Sequence, residues 1–179
     1  SWYDAVFQDL VRATGLEDVS ATQELINRNR IIQAFSLHGH GPGQTSFGAV
    51  RLRAAIDILA DHASFRPDVV LIDAYDWTRT TDQELEALRS LAKERGFELW
   101  TTAVTHRHQI GSAAPDRVPP PCDRFTRHLG LVLFLQPTDG HLSVRLLKHH
   151  DRAVSSDTTL ILHTDTMRLV DGRAPSMPI

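Results

Sequence analysis

The chain has 179 residues, 41% of them hydrophobic and 23% charged, with a formal net charge of −3 and a pI near 6.3. These values predict one α/β domain over 1–179 with an ordinary soluble core. They exclude a strongly basic nucleic-acid surface and leave only a local basic patch open, while no apolar run approaches the roughly 20 residues of a membrane span. The single cysteine, Cys122, excludes an intramolecular disulfide and any multi-cysteine metal site, which points to a reducing cytoplasm. The chain opens at Ser1-Trp2-Tyr3 with no methionine, so it is read as a processed product or as a piece of a longer domain.

Apolar residues at helical spacing predict a first helix over Tyr3–Ala13 that stops at Gly15. A second is expected over Ala21–Arg30 with Ser20 as N-cap. Ile31–Leu37 reads as a strand that enters the loop His38-Gly39-His40-Gly41-Pro42-Gly43-Gln44-Thr45-Ser46, whose three glycines and proline mark it as an active-site loop candidate. Gly48–His62 is predicted helical, with Val50, Ala54, Ile58 and Leu59 on one side and Arg51, Arg53 and Asp57 facing out.

The run Val69-Val70-Leu71-Ile72 is wholly apolar and ends in Asp73, with Asp76 close behind. Four consecutive aliphatic residues do not alternate, so the strand is expected to be buried on both faces of a parallel sheet, with the acids where such sheets place their chemistry. A hard divalent cation takes carboxylate oxygens and water, so Asp73 is the leading metal-ligand candidate, against a plain solvated Asp. Asp76 is read as a cap for the turn at Thr78 rather than as a second acid. Thr81 and Glu84 form a capping box for a helix whose stripe is Leu85, Leu88, Leu91 and Ala92, ending at Gly96.

Phe97–Val104 is the next predicted strand, followed by a proline-rich surface loop over Arg107–Asp123 and a short helical turn over Arg124–His128. Leu131–Leu135 is a second wholly apolar strand, and Thr138-Asp139-Gly140 turns it into Leu142–Lys148. A last hairpin joins Thr158–His163 to Arg168–Val170. This order predicts a mainly parallel sheet flanked by helices, with antiparallel strands at its C-terminal edge.

From Ile31 to Val170 the element order resembles the core of the RecA-like P-loop ATPases, especially the branch of replicative helicases and circadian-clock ATPases. The resemblance is carried by Val69–Asp73, by Lys93-Glu94-Arg95-Gly96, by Leu99–Val104 running into Thr105-His106-Arg107, by Leu131–Leu135, and by Val144–His150. It implies Mg²⁺ and ATP as ligands, with Asp73 holding Mg²⁺ through water in the manner of a Walker B acid. Thr102 would lie near the phosphates, and Lys148 would reach a neighbouring subunit's nucleotide. It further implies a homo-oligomer or a nucleotide-binding partner subunit.

The family's phosphate loop, G-x-x-x-x-G-K-[ST], is missing. In His38–Ser46, Gln44 stands where the lysine would be and Thr45 matches the hydroxyl, so the segment is either a degenerate phosphate loop or the loop before the helix leading to Val69. Val104 stands where a polar sensor is common, and Lys148-His149-His150 lacks the arginine of the family's Lys-x-Arg pair. The resemblance therefore implies a partial or degenerate module. Two other readings stay open: an assembly platform without catalysis, and a metal-dependent hydrolase drawing on His38, His40, Asp73, Asp76 and His106.

Overall fold

A computed structural model describes residues 11, 15, 19–33, 48–105, 116–138, 140–152, 154, 159–166 and 168–172. The chain divides into two compact units, residues 38–130 and residues 1–37 with 131–179.

In the unit 38–130, α2 (Ala49–Ala63) leads to β1 (Val69–Ile72), α3 (Asp82–Arg95) and β2 (Glu98–Thr101), and a 3-10 helix (Asp123–His128) follows. The two strands pair in parallel, Val69 opposite Glu98 and Ile72 opposite Thr101. Such a pairing needs a crossover, and α3 supplies it. Leu85, Leu88 and Leu91 of α3 are buried together with Ala49, Leu52 and Ile56 of α2, and Val70, Ile72 and Leu99 pack against them from one face of the sheet.

The ends of α3 follow its sequence. Thr81 Oγ1 accepts from the Glu84 N–H at 3.2 Å, and Gly96 closes the helix at φ 74° with its N–H on Ala92 O. Glu84 does not complete the capping box toward Thr81. Its Oε1 accepts instead from the Ala49 N–H at 2.5 Å, placing a carboxylate on the positive end of α2. At Gly48, which precedes α2, a Cβ would lie 2.3 Å from the same oxygen, so any side chain there would displace the Glu84 carboxylate. On their exposed sides the two helices are tied by a two-point Arg53–Glu94 pair and by Arg95–Asp57.

The other unit contains α1 (Val19–Arg28) and the strands β3 (Leu131–Thr138), β4 (His141–His149), β5 (Thr159–His163) and β6 (Arg168–Asp171). These four form one antiparallel sheet in chain order. The β3–β4 hairpin turns at Gly140, φ 77°, and a register shift at Val132/Leu133 marks a bulge. Gly15 holds φ 62° with its N–H on Val11 O.

The expected mainly parallel, helix-flanked sheet is not what forms. The described strands make a two-stranded parallel sheet and a separate four-stranded antiparallel one. The connections after β3 and β5 are only a few residues long, too short for a crossover, so the strands they join pair antiparallel. Burial on both faces of β1 is also overturned: Val69 and Leu71 are 57% and 64% exposed, because α2 and α3 both cover the opposite face. In α2 the buried stripe is Ala49, Leu52 and Ile56, leaving Val50 and Ile58 exposed. Ser20 lies inside α1, which starts at Val19, so it is not the cap. Residues 31–33 belong to no strand. The rest of that predicted strand, residues 3–10 and 12–13 of the first predicted helix, the loop His38–Ser46, and residues 106–115 and 139 lie outside the described residues; Val11 is helical.

Candidate functional site

The predicted acid does sit at the carboxyl end of a parallel strand, and the fold builds a small polar cluster around it. Thr102 follows β2 as Asp73 follows β1, and the Thr102 N–H bonds Ile72 O at 3.1 Å, extending the strand pairing by one residue. That pairing sets the two side chains face to face. Thr102 Oγ1 donates to Asp73 Oδ1 at 2.5 Å and accepts from the Ala74 N–H at 2.8 Å. The same N–H lies 3.0 Å from Asp73 Oδ1. Ala74 has φ 52°, a left-handed conformation that costs a residue with a Cβ about 1 kcal/mol. The two acceptors for its N–H hold it there. Asp73 Oδ1 is thus saturated from within, whereas its Oδ2 takes no hydrogen bond among the described residues and the side chain is exposed. A carboxylate with one oxygen held and the other facing water is suited to receive a hydrated divalent cation.

The loop after Ala74 is rigid for reasons in its own side chains. Tyr75 and Trp77 are buried, their rings edge-to-face at 5.2 Å, and the Tyr75 hydroxyl bonds Thr80 Oγ1, itself buried. Burial pushes the Tyr75 phenol up. The Trp77 indole N–H donates to Thr102 O at 3.2 Å. Arg124 of the 3-10 helix donates Nη2 to Trp77 O at 3.0 Å and to Thr78 O at 3.2 Å, with its guanidinium 4.5 Å from the Phe125 ring centroid. At its other end the 3-10 helix is fixed by His128 Nε2 and Arg127, both on Asp82 Oδ1.

Asp76 caps the turn, as its spacing suggests. Its Oδ1 accepts from Thr78 Oγ1 at 2.6 Å and from the Thr78 and Arg79 N–H groups. The Thr78 hydroxyl, and after it the Arg79 N–H, hold its carboxyl below the usual carboxylate range. Its bonding is local, so it is not poised as a second acid. Cys122 is half-buried, and burial pushes its thiol up to about 11, with Asp123 adding to the effect, which disfavours the nucleophilic thiolate.

Of the residues singled out from sequence, Asp73 and Thr102 are brought together. Lys148 lies on β4 in the other unit, where its Nζ donates to His150 O at 2.8 Å. Thr45 lies outside the described residues, as do His38, His40 and His106 of the metal-hydrolase reading. Among the described residues no three His, Cys, Asp or Glu side chains converge on a point that could hold a metal ion. Val104, where the resemblance would put a sensor residue, is exposed, and the polar side chain beside the acid is Thr102, two residues earlier. Trp77 is 4% exposed and so presents no ring to a ligand, whereas Trp100 is partly exposed. Sequence reasoning missed Ala74, the indole N–H of Trp77 and Arg124. None carries a motif. No helix among the described residues is long and apolar enough to cross a membrane.

No protein-family model matches the chain, and a comparison with curated proteins finds no match either.

Proposed function

We propose that the chain is a degenerate nucleotide-binding module of the P-loop ATPase kind, taking Mg²⁺ and ATP and working in a homo-oligomer or beside a nucleotide-binding partner subunit. The observation that carries this reading is the Asp73–Thr102 pair at adjacent carboxyl ends of two parallel strands. A helix-linked parallel pair places ligands at that edge, and a carboxylate with one oxygen held by a hydroxyl suits a water-bridged Mg²⁺. The resemblance to RecA-like ATPases supplies the nucleotide; the proposal concerns the site and not that family's sheet. In it Thr45 stands at the hydroxyl position of the vestigial phosphate loop and Lys148 reaches a neighbour's nucleotide. With no lysine in that loop, binding is the activity expected of the isolated chain, and turnover needs a partner's residues. The low cysteine content supports a reducing cytoplasm as its setting.

The test is titration with a fluorescent ATP analogue with and without Mg²⁺. Binding that Mg²⁺ strengthens in the natural chain and not in Asp73→Asn is the expected result; binding indifferent to both removes the proposal. A second reading, an assembly platform, is favoured by the exposed Val69, Leu71 and Trp100 on the uncovered face of the parallel pair. It predicts association without nucleotide, read by sedimentation velocity.

A further inference from the structure

We infer that Trp77 and Arg124 are positioning residues that set the geometry of the Asp73 carboxylate, an inference that rests on the nucleotide reading above. The path is continuous. The Arg124 guanidinium bridges Trp77 O and Thr78 O and lies over the Phe125 ring, so it fixes the backbone that carries the indole. The indole is buried between Tyr75, at 5.2 Å and edge-on, and Phe125, at 5.9 Å, so it has no freedom to swing away. Its N–H holds Thr102 O while Ile72 O holds the Thr102 N–H, and residue 102 is therefore gripped on both sides of its Cα.

The consequence falls on one hydroxyl. Thr102 Oγ1 must donate to Asp73 Oδ1 and accept from the Ala74 N–H at once, and Ala74 is held at φ 52° by that bond. Without the indole N–H, Thr102 O is left to solvent and Thr102 is free to twist. The hydroxyl then gives up one of its two partners, and Ala74 relaxes to φ below zero. Asp73 then turns with it, and Oδ2 no longer has a fixed direction. The 3-10 helix is itself anchored at its far end through Asp82, so residues 123–128 brace the backbone at Trp77 and Thr78 against the start of α3. Its effect is specific to the cation: it sets where the carboxylate points and adds no group of its own to the site.

The experiment compares the natural chain with Trp77→Phe, Arg124→Lys, Asp73→Asn and the double variant Asp73→Asn/Trp77→Phe. Phe keeps an aromatic ring without the N–H, and Lys keeps the charge without the fork that spans two carbonyls. Affinity for the fluorescent ATP analogue is measured with and without Mg²⁺, and Ala74 amide exchange is followed by NMR in ligand-free protein. Losing one positioning hydrogen bond is expected to cut the Mg²⁺-dependent gain in affinity about fivefold in either single variant. Affinity without Mg²⁺ stays as it was, and Trp77→Phe changes nothing further on the Asp73→Asn background. Ala74 exchange speeds up while the Leu88 amide stays protected. Equal losses with and without Mg²⁺, additive losses in the double variant, or unchanged Ala74 exchange overturn the inference. If the natural chain shows no Mg²⁺-dependent binding, the nucleotide reading fails by itself, and Ala74 exchange still decides whether Trp77 and Arg124 position the acid.

Discussion

In the unit 38–130, leucines at Leu88 and Leu91 are 1% exposed beneath one face of a two-stranded sheet, whereas Leu133 and Leu135 on the larger antiparallel sheet stay 43% and 53% exposed. Residue type does not explain the difference. α2 and α3 are close enough to share a salt-bridged seam and one apolar cluster, so each helical leucine is surrounded on all sides. The strands β3 to β6 are held chiefly by their ladder, and among their described residues only Phe134 is buried. A ladder satisfies backbone groups without removing much side-chain surface from water. The site follows the same division: a carboxylate can be held in one orientation only where the neighbouring backbone is fixed, and that is the end of β1 and β2.

The largest test of this contrast is a matched pair of truncations. Leu88→Ala is expected to cost about 2–5 kcal/mol through lost burial and a cavity. Leu135→Ala, half in water already, is expected to cost less than about 1 kcal/mol. Urea unfolding of both variants measures the difference. Equal costs would mean that the antiparallel sheet buries its leucines in solution and that the contrast is wrong.

Next in size is the contact between the two helix starts. Gly48→Ala drives a Cβ onto the Glu84 carboxylate, which must leave the Ala49 N–H. Glu84→Ala removes the same acceptor directly, and loss of an N-terminal acceptor costs about 0.5–2 kcal/mol. The two substitutions should therefore be strongly non-additive in a double-variant cycle, because each abolishes the same bond. Full additivity would show that Gly48 is needed for another reason.

How much of this could be read from the sequence depends on how local the cause is. The cap at Thr81, the stripe of α3, the αL stop at Gly96 and the turn at Gly140 are set by residues within a few positions of each other, and they form as the spacing predicts. Sheet membership is not local. Leu131–Leu135 and Val69–Ile72 are both unbroken apolar runs, yet one enters a hairpin and the other a crossover. An apolar run records that a strand is wanted and not which neighbour it takes. The site divides in the same way. Asp73 was visible as an acid ending an apolar strand, and Thr102 through a family resemblance. Trp77 and Arg124 were hidden because their contacts span 25 and 47 residues of sequence. The Glu84 carboxylate, legible as half of a capping box, goes to another helix, a choice that only the packing of α2 on α3 decides.

Acid titration separates the turn from the site. The Asp76 carboxyl is held below the usual range, chiefly by the Thr78 hydroxyl, so its folded pKa is lower than its unfolded one. A group shifted in that direction contributes stability above the unfolded carboxylate range, and that contribution is lost as pH falls through the folded value. The melting temperature of the natural chain should therefore fall more steeply below about pH 4 than that of Asp76→Asn, with the two curves differing most at neutral pH. Thr78→Val should reproduce most of the flattening because it removes the leading cause. Parallel curves would mean that the hydroxyl bond does not persist in solution.

The smallest effect is expected at the two-point Arg53–Glu94 pair across α2 and α3. Both side chains are about half exposed, and although each carboxyl–guanidinium bond shifts its partners' titration in the stabilising direction, water and salt screen the pair. The helices are joined underneath by Leu52, Ile56, Leu88 and Leu91, which do not depend on ionic strength. An Arg53→Ala/Glu94→Ala cycle should accordingly show a coupling that is small at low salt and vanishes at high salt, while the Leu88→Ala loss stays the same at both. If the coupling survived high salt, the Arg53–Glu94 seam would share with the apolar cluster in holding α2 on α3, and part of the fixed backbone behind Asp73 would rest on surface charge.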